Sequence, residues 1–300
     1  MKKSTKVILG TTASVFAVGA VLSIGALCMG GGRMFYDNNH YGTVGQLEQQ
    51  EVENVSSLNF QLGVNSYRIR TGDTFRIEGD AESMKLLESY KEGDTWHIKT
   101  KKNQWFRFGK RYSGVTIYIP ENATLYNADI QVGAGECDIE TLKADSVSLQ
   151  VGAGSLDARG LESQKKAEVE VGVGELNITS AKTGGASIEC GMGSVNVSGR
   201  IEGNVDVNCG MGEVILDLEN TYSDYNYVAQ VGMGEVKIGD RSSGGIGGEL
   251  KQHNGADYNM EIDCGMGEVQ VGFRNQPKNE PQISPTYQPQ KEGNYNETSV

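Results

Sequence analysis

The sequence predicts an all-β fold, a parallel β-solenoid with coils of about 19–20 residues, preceded by one N-terminal transmembrane helix. Three observations predict it. Gly-x-Gly pairs recur at Gly133 and Gly135, Gly152 and Gly154, Gly172 and Gly174, Gly191 and Gly193, Gly210 and Gly212, Gly232 and Gly234, and Gly265 and Gly267, with first glycines 19, 20, 19, 19, 22 and 33 residues apart. Apolar residues alternate with polar ones on both sides of each pair, the mark of half-buried strands. Residues 7–29 carry no charge and are mostly apolar.

The N-terminal run of 23 residues suffices to cross a bilayer core, which takes roughly 20 helical residues. Lys2, Lys3 and Lys6 precede it, placing residues 1–6 in the cytoplasm and the bulk of the chain outside. A cleaved signal peptide has a shorter apolar region, of about 7–15 residues, so a retained anchor and a single-pass cell-membrane location are expected. A lipoprotein reading through Cys28 meets bulky Leu27 where a small residue is wanted.

Residues 30–54 are polar and unpatterned and read as a tether. The β-domain is expected over 55–273, with a degenerate lead-in at 55–127 and the Gly-x-Gly repeats at 128–273. In the lead-in, Leu58, Phe60 and Leu62 alternate ahead of Gly63, and Tyr67 and Ile69 follow at the offsets of the later repeats; Asn65 replaces the second glycine. Ser83 to Tyr90 reads as a short helix or turn. Trp96 to Lys99 and Val115 to Pro120 read as strands, Pro120 ending the second.

Counting from the first glycine of each pair as zero, positions −3, −1, +4 and +6 are apolar in all seven repeats, and −2 is polar throughout: Gln131, Gln150, Glu170, Glu189, Asn208, Gln230 and Asp263. Each repeat is therefore two short strands with one face in and one out. The parity of the inward set changes across Gly-x-Gly, which requires a corner or bulge, and glycine's φ freedom is expected to supply it. A phosphate-cradling loop needs strand, glycine loop, then helix; here strand follows strand, which excludes that use. Similar residues at equivalent positions of neighbouring repeats favour direct stacking over an antiparallel meander. The long interval puts its extra residues in a loop at 240–257, extruded between the sixth and seventh coils. Residues 274–300 are rich in Asn, Gln, Pro and Glu and read as a disordered tail.

The Ile-x-x-Gly-x-Gly-[Glu/Ser]-[Val/Leu]-x-[Val/Ile] repeats, the Val115-Thr116-Ile117-Tyr118-Ile119-Pro120 strand and the single anchor together resemble the putative adhesin family of bacterial β-strand-repeat proteins. The resemblance spans roughly residues 55–273. It implies an envelope protein with a β-solenoid domain and carries over no catalytic residue.

The net charge of −12 argues against a general nucleic-acid binder, which needs a basic face. Cys190, Cys209 and Cys264 stand at −1, where other repeats use Val, and Cys137 stands at +4; each reads as a small buried hydrophobe. Cys190 and Cys209 would neighbour each other, but in-register parallel side chains suit a disulfide dihedral poorly. No Cys-x-x-Cys pair signals a metal site. Met192, Met211, Met233 and Met266 share position +1, and extending the −3, −1 parity points them inward as core rather than outward for soft-metal capture.

Two sets of residues are candidates for surface or partner contact. Glu213, Glu235 and Glu268 share position +3, though the Gly-Gly-x-Gly-x-Asp register of calcium-binding β-rolls is missing. Lys99, Lys101, Lys102, Trp105, Arg107, Lys110 and Arg111, with Phe106 and Phe108 among them, form a basic aromatic island on an acidic chain. It reads equally as an affinity patch for anionic lipid or wall polymer and as a hairpin whose aromatics plug the end of the stack. His40, His97 and His253 have no nucleophile or metal partner at recognisable spacing, and the outward rows lack the clustered acids of a polysaccharide-active enzyme. The expectation is a non-catalytic module without cofactor, displayed outside the membrane for adhesion or ligand binding; an envelope sensor or scaffold is the alternative, and a polysaccharide-active enzyme a remote one. Its partners would be a wall polymer, a surface ligand, a membrane protein or a second copy of itself.

Overall fold

The computed structural model describes residues 47–101 and 114–275. No helix among them is long and apolar enough to cross a membrane. The expected anchor at 7–29, most of the basic island and nearly all of the tail at 274–300 lie outside the described residues.

The described residues are all-β, with one five-residue α-helix among them, Ala81–Lys85. Asp80 caps that helix, its Oδ1 accepting from the backbone N–H groups of Glu82 and Ser83 at 3.0 Å each. The second half of the stretch read as helix or turn is instead a strand, Leu87–Glu92.

Each repeat contributes one strand before its glycine corner and one after it. The leading strands form an 11-stranded sheet and the trailing strands belong to a 14-stranded sheet. Consecutive middle repeats pair in parallel and in register: Leu149 lies opposite Ile130 and Val169 on the leading side, and Leu156 opposite Cys137 and Leu176 on the trailing side. The side chains at −3, −1, +4 and +6 of both sheets meet in one continuous core. A fully buried aliphatic side chain contributes about 1.5–3 kcal/mol, so four per coil supply most of the stabilisation. The lead-in copy stacks directly on the first full repeat, with Leu58, Phe60 and Leu62 opposite Ala128, Ile130 and Val132.

The order of coils in space departs from the order in sequence at both ends. The strand pair Thr95–Thr100 and Val115–Pro120 lies outside the lead-in copy, because Ser57–Leu62 occupies the place beside Asn127–Val132. At the far end Tyr258–Cys264 inserts beside Val205–Cys209, which pushes the earlier Tyr225–Val231 to the outside. The Gly265 coil thus sits between the Gly210 and Gly232 coils. Nine coils are described, spanning ~38 Å at one strand spacing each.

Both outer coils are closed by antiparallel strands. Leu87–Glu92 covers Thr95–Thr100, Phe75–Asp80 covers Val115–Pro120, and Leu47–Val52 pairs with Phe75–Asp80. At the other end Gly248–Gln252 covers Tyr225–Val231 and Arg241–Gly244 covers Glu235–Ile238. Two expectations are corrected here. Residues 240–257 carry two capping strands, one on each sheet, at the end of the stack, since the seventh coil returns beneath the sixth instead of following it. Part of the supposed tether, Leu47–Val52, is an edge strand whose Glu and Gln side chains blunt the sheet edge.

Aromatic residues are few overall and concentrate at these ends. Buried Trp96 meets Phe60 edge-on with centroids 5.4 Å apart, and Phe75 at 6.2 Å. Tyr222, Tyr225, Tyr227, Tyr258 and Phe273 cluster at the far end. There the chain jumps a coil, and buried Asn220 replaces the missing strand. Its Nδ2 donates to the Ile201 carbonyl at 2.9 Å and its Oδ1 accepts from the Ile201 N–H at 3.0 Å, while the Tyr225 hydroxyl donates to the same carbonyl at 2.6 Å.

Asn220→Ala would leave these buried backbone groups short of partners, at a cost of about 2–3 kcal/mol. Denaturant unfolding should show a lower midpoint at unchanged m-value; a midpoint equal to that of the parent would remove Asn220 from this role.

The glycine corner as candidate binding edge

None of the fourteen repeat glycines has a φ in the left-handed region. The expectation that they supply unusual dihedrals is therefore corrected: they are needed for close approach. A β-carbon on Gly154 would lie 2.0 Å from the Gly135 carbonyl oxygen, and one on Gly193 or Gly212 would lie 2.2 or 2.3 Å from the equivalent oxygen of the coil below. The residue between the glycines continues the backbone ladder: the Met192, Met211 and Met266 N–H groups donate at 2.8 Å to the first-glycine carbonyls of Gly172, Gly191 and Gly210.

That residue sits at the apex and points outward. Met192, Met211, Met266 and Met233, in spatial order, are 43%, 53%, 53% and 62% exposed, so the expectation that they fill core is wrong. The parity that governs −3 and −1 stops at the first glycine, where the chain turns, and resumes only at +4. Ala134, Ala153 and Val173 continue the same row toward the lead-in end.

Beside the thioether ridge run the +3 residues. Glu213 lies opposite Glu268, and Glu268 opposite Glu235, on three adjacent coils. All three are exposed, and none is in an ion pair among the described residues. Ridge, glycines and glutamates line one open groove that continues to Glu175 and Ser155. The structure thus brings the three glutamates together, although Glu235 comes before Glu268 in the chain and after it in space.

Lys99 and Lys101 lie on the outermost lead-in coil, six coils or ~29 Å from Glu213. Lys99 Nζ stands over the Tyr90 ring, 5.5 Å from its centroid, and Lys101 Nζ donates to the Lys85 carbonyl at 2.9 Å. Lys102, Trp105, Arg107, Lys110 and Arg111 lie outside the described residues. Lys99 and Lys101 therefore lie at the opposite end of the stack from the three glutamates.

The −2 row also forms a ladder on the leading sheet, with Glu170 directly opposite Glu189. Partial burial raises the Glu170 carboxyl above the ordinary range, and the Glu189 charge adds to the effect. A short third strand in the early coils, missed from the sequence, places Lys143, Glu162, Lys182 and Arg200 in another row. Its signal was the alternation in Leu142-Lys143-Ala144 and Leu161-Glu162-Ser163. Among the described residues no group of three or more His, Cys, Asp or Glu side chains converges on a metal position. His97 stacks on Tyr90 at 5.0 Å at one end, and His253 follows the capping strand at the other, so no histidine-based catalytic set assembles from this pair.

The arrangement defines an all-β repeat protein whose distinctive surface is a straight edge of thioethers and carboxylates. The chain belongs to the Toastrack DUF4097 family, whose profile matches residues 55–296. Solved structures similar to it include a putative adhesin from Bacteroides fragilis, 13% identical, covering 75% of this chain and 96% of that one at a TM-score of 0.41. A putative cell adhesion protein from Clostridium sporogenes is 15% identical, with coverages of 77% and 99% and a TM-score of 0.39. A putative lipid binding protein from Parabacteroides distasonis is 13% identical, with coverages of 75% and 96% and a TM-score of 0.44. Among curated proteins no relative is matched.

Glu170→Gln should stabilise the chain by up to ~1 kcal/mol at neutral pH by removing a like-charge cross-strand pair. Because the folded-state carboxyl titrates above its unfolded value, the penalty is present above the folded pKa. It fades as pH falls through the folded pKa toward the unfolded one, so the two melting curves should converge in acid. A gain that persists undiminished in acid would show that charge is not its cause.

Proposed function

We propose that this protein is a non-catalytic binding module, a β-solenoid displayed outside the cell membrane by the apolar segment at 7–29, and that its ligand docks along the glycine corner. The observation that carries the reading is the exposed ridge of Met192, Met211, Met266 and Met233 beside Glu213, Glu268 and Glu235. Methionine side chains adapt to irregular apolar surfaces, and contiguous exposed apolar residues mark interaction sites. An unneutralised carboxylate row selects for positive charge. The ligand on this half of the edge is therefore partly apolar and cationic. Lys99 and Lys101 stand at the opposite end of the stack, and the basic island to which they belong in the sequence suits an anionic wall polymer or lipid headgroup close to the anchor. Such a division of charge fits adhesion or ligand display at the envelope. An envelope-associated sensor or scaffold would use the same edge to hold a membrane protein.

The test is capture by the full chain in lipid vesicles, offered a cationic amphipathic peptide, intact cell wall, anionic wall polymer and solubilised membrane proteins in parallel. Peptide binding should weaken with salt and fall about 10-fold in Glu213→Gln/Glu235→Gln/Glu268→Gln, as expected when exposed charge pairs worth up to ~1 kcal/mol each are lost. Binding indifferent to both would remove the corner from the ligand site. Capture confined to membrane proteins would replace adhesion with the sensor or scaffold reading.

A further inference from the structure

The sequence Cys-Gly-Met-Gly occurs at Cys190–Gly193, Cys209–Gly212 and Cys264–Gly267. Elsewhere in the repeats Val stands at −1, with Ala134, Ala153 or Val173 at +1 in the early coils, so sulfur arrives at both positions together; Val231 with Met233 is the one mixed case. Chain order would interrupt the cysteine row with Val231. The exchange of the last two coils prevents this: Cys190 lies opposite Cys209, and Cys209 opposite Cys264, on three consecutive rungs, with Val231 on the outer side.

The three thiols are reduced and each residue is 3% exposed. They lie directly beneath the corner. A β-carbon on Gly212 would come 2.6 Å from Cys190 Sγ, one on Gly267 2.7 Å from Cys209 Sγ, and one on Gly234 3.1 Å from Cys264 Sγ. Only a glycine backbone therefore separates the thiols from the thioether ridge above them. Each thiol donates to a carbonyl at the second glycine of its own corner, at 3.1–3.2 Å.

We propose that this row is a soft-metal site that takes two Cu(I) ions, one between Cys190 and Cys209 and one between Cys209 and Cys264, with the methionine ridge as its outer gate. Adjacent rungs are ~4.8 Å apart. Two metal–sulfur bonds of about 2.3 Å laid end to end span nearly that distance. A row of donors cannot surround a tetrahedral ion, which is why no three ligands converge on one point and why Zn(II) is a poor fit. A two-coordinate d10 ion needs only collinear sulfur, and thiolate and thioether are the ligands that select Cu(I). Loading breaks three S–H bonds, releases three protons to solvent and forms four S–Cu bonds, with Cys209 bridging. The ion enters as Cu(I), so no electron is transferred.

The topology makes the stoichiometry diagnostic. The reduced full chain, carrying Cys28→Ser, is titrated anaerobically with Cu(I) against a chromophoric Cu(I) chelator while thiolate-to-copper ultraviolet absorption is followed. Two ions per chain should be withheld from the chelator. Cys190→Val or Cys264→Val should withhold one, and Cys209→Val none, because its two neighbours are then two rungs, ~9.6 Å, apart. Cys137→Val, remote in the first repeat, should still withhold two. Valine occupies the −1 position in the other four repeats, so the −1 variants keep a packing the fold already uses; an unchanged far-ultraviolet spectrum checks this. Undiminished binding by Cys209→Val, equal binding of Zn(II), or binding abolished by Met192→Leu/Met211→Leu/Met266→Leu alone would overturn the proposal.

Discussion

The structure depends on how closely one glycine backbone lies on the next. At the second glycine of the seven corners a β-carbon would stand 2.0–2.3 Å from a carbonyl oxygen of the neighbouring coil, far inside any tolerable contact. That approach lets the hydrogen-bond ladder run around the corner without a break, so leading and trailing sheets share one register. Once register is fixed, every side chain has its counterpart one rung away as principal neighbour. Continuous rows follow: aliphatic carbon and sulfur inside, and outside lines of amides, carboxylates and ammonium groups.

Such rows explain both the stability and the surface of the molecule. Inside, they give an aliphatic core that repeats coil by coil and needs aromatic side chains only where the repetition stops, at Trp96 and at the Tyr225 cluster. Outside, they turn single residues into lines of chemistry. Like charges stacked at rung spacing cost energy, and the Glu170 carboxyl, raised first by partial burial and then by the Glu189 charge, carries part of that cost. The rows at −2, +3 and the corner apex therefore keep a polarity that the fold itself does not demand, and the corner is where this departure is largest.

Strand identity, the inward positions and burial of the repeat cysteines were legible because alternation is a local property, written within six residues on either side of each glycine. The offsets of Leu58, Phe60 and Leu62 from Gly63 were legible for the same reason. What escaped was whatever depends on a residue's place in the stack. Cys209 pairs as well with Cys264 as it would with Val231, so no local pattern orders the last two coils. The orientation of Met192 and its equivalents failed because a parity rule was carried through a turn that resets it. Arg241–Gly244 and Gly248–Gln252 looked like loop because the glycine- and serine-rich run 242–248 joins them, and their strand character comes from the edges they cover.

The exchanged coil order also bears on how the protein is made. A stack in sequence order could close rung by rung behind the ribosome. Here the Gly232 coil and its two capping strands emerge before the coil on which they rest, and must wait for Tyr258–Cys264 and Glu268–Phe273 to slide in beneath them. The last of the described strands act as a clasp. New repeats can be accommodated between the lead-in copy and the Gly210 coil, where chain order and spatial order agree, but not beyond the clasp, so growth of such a protein has to occur from its middle.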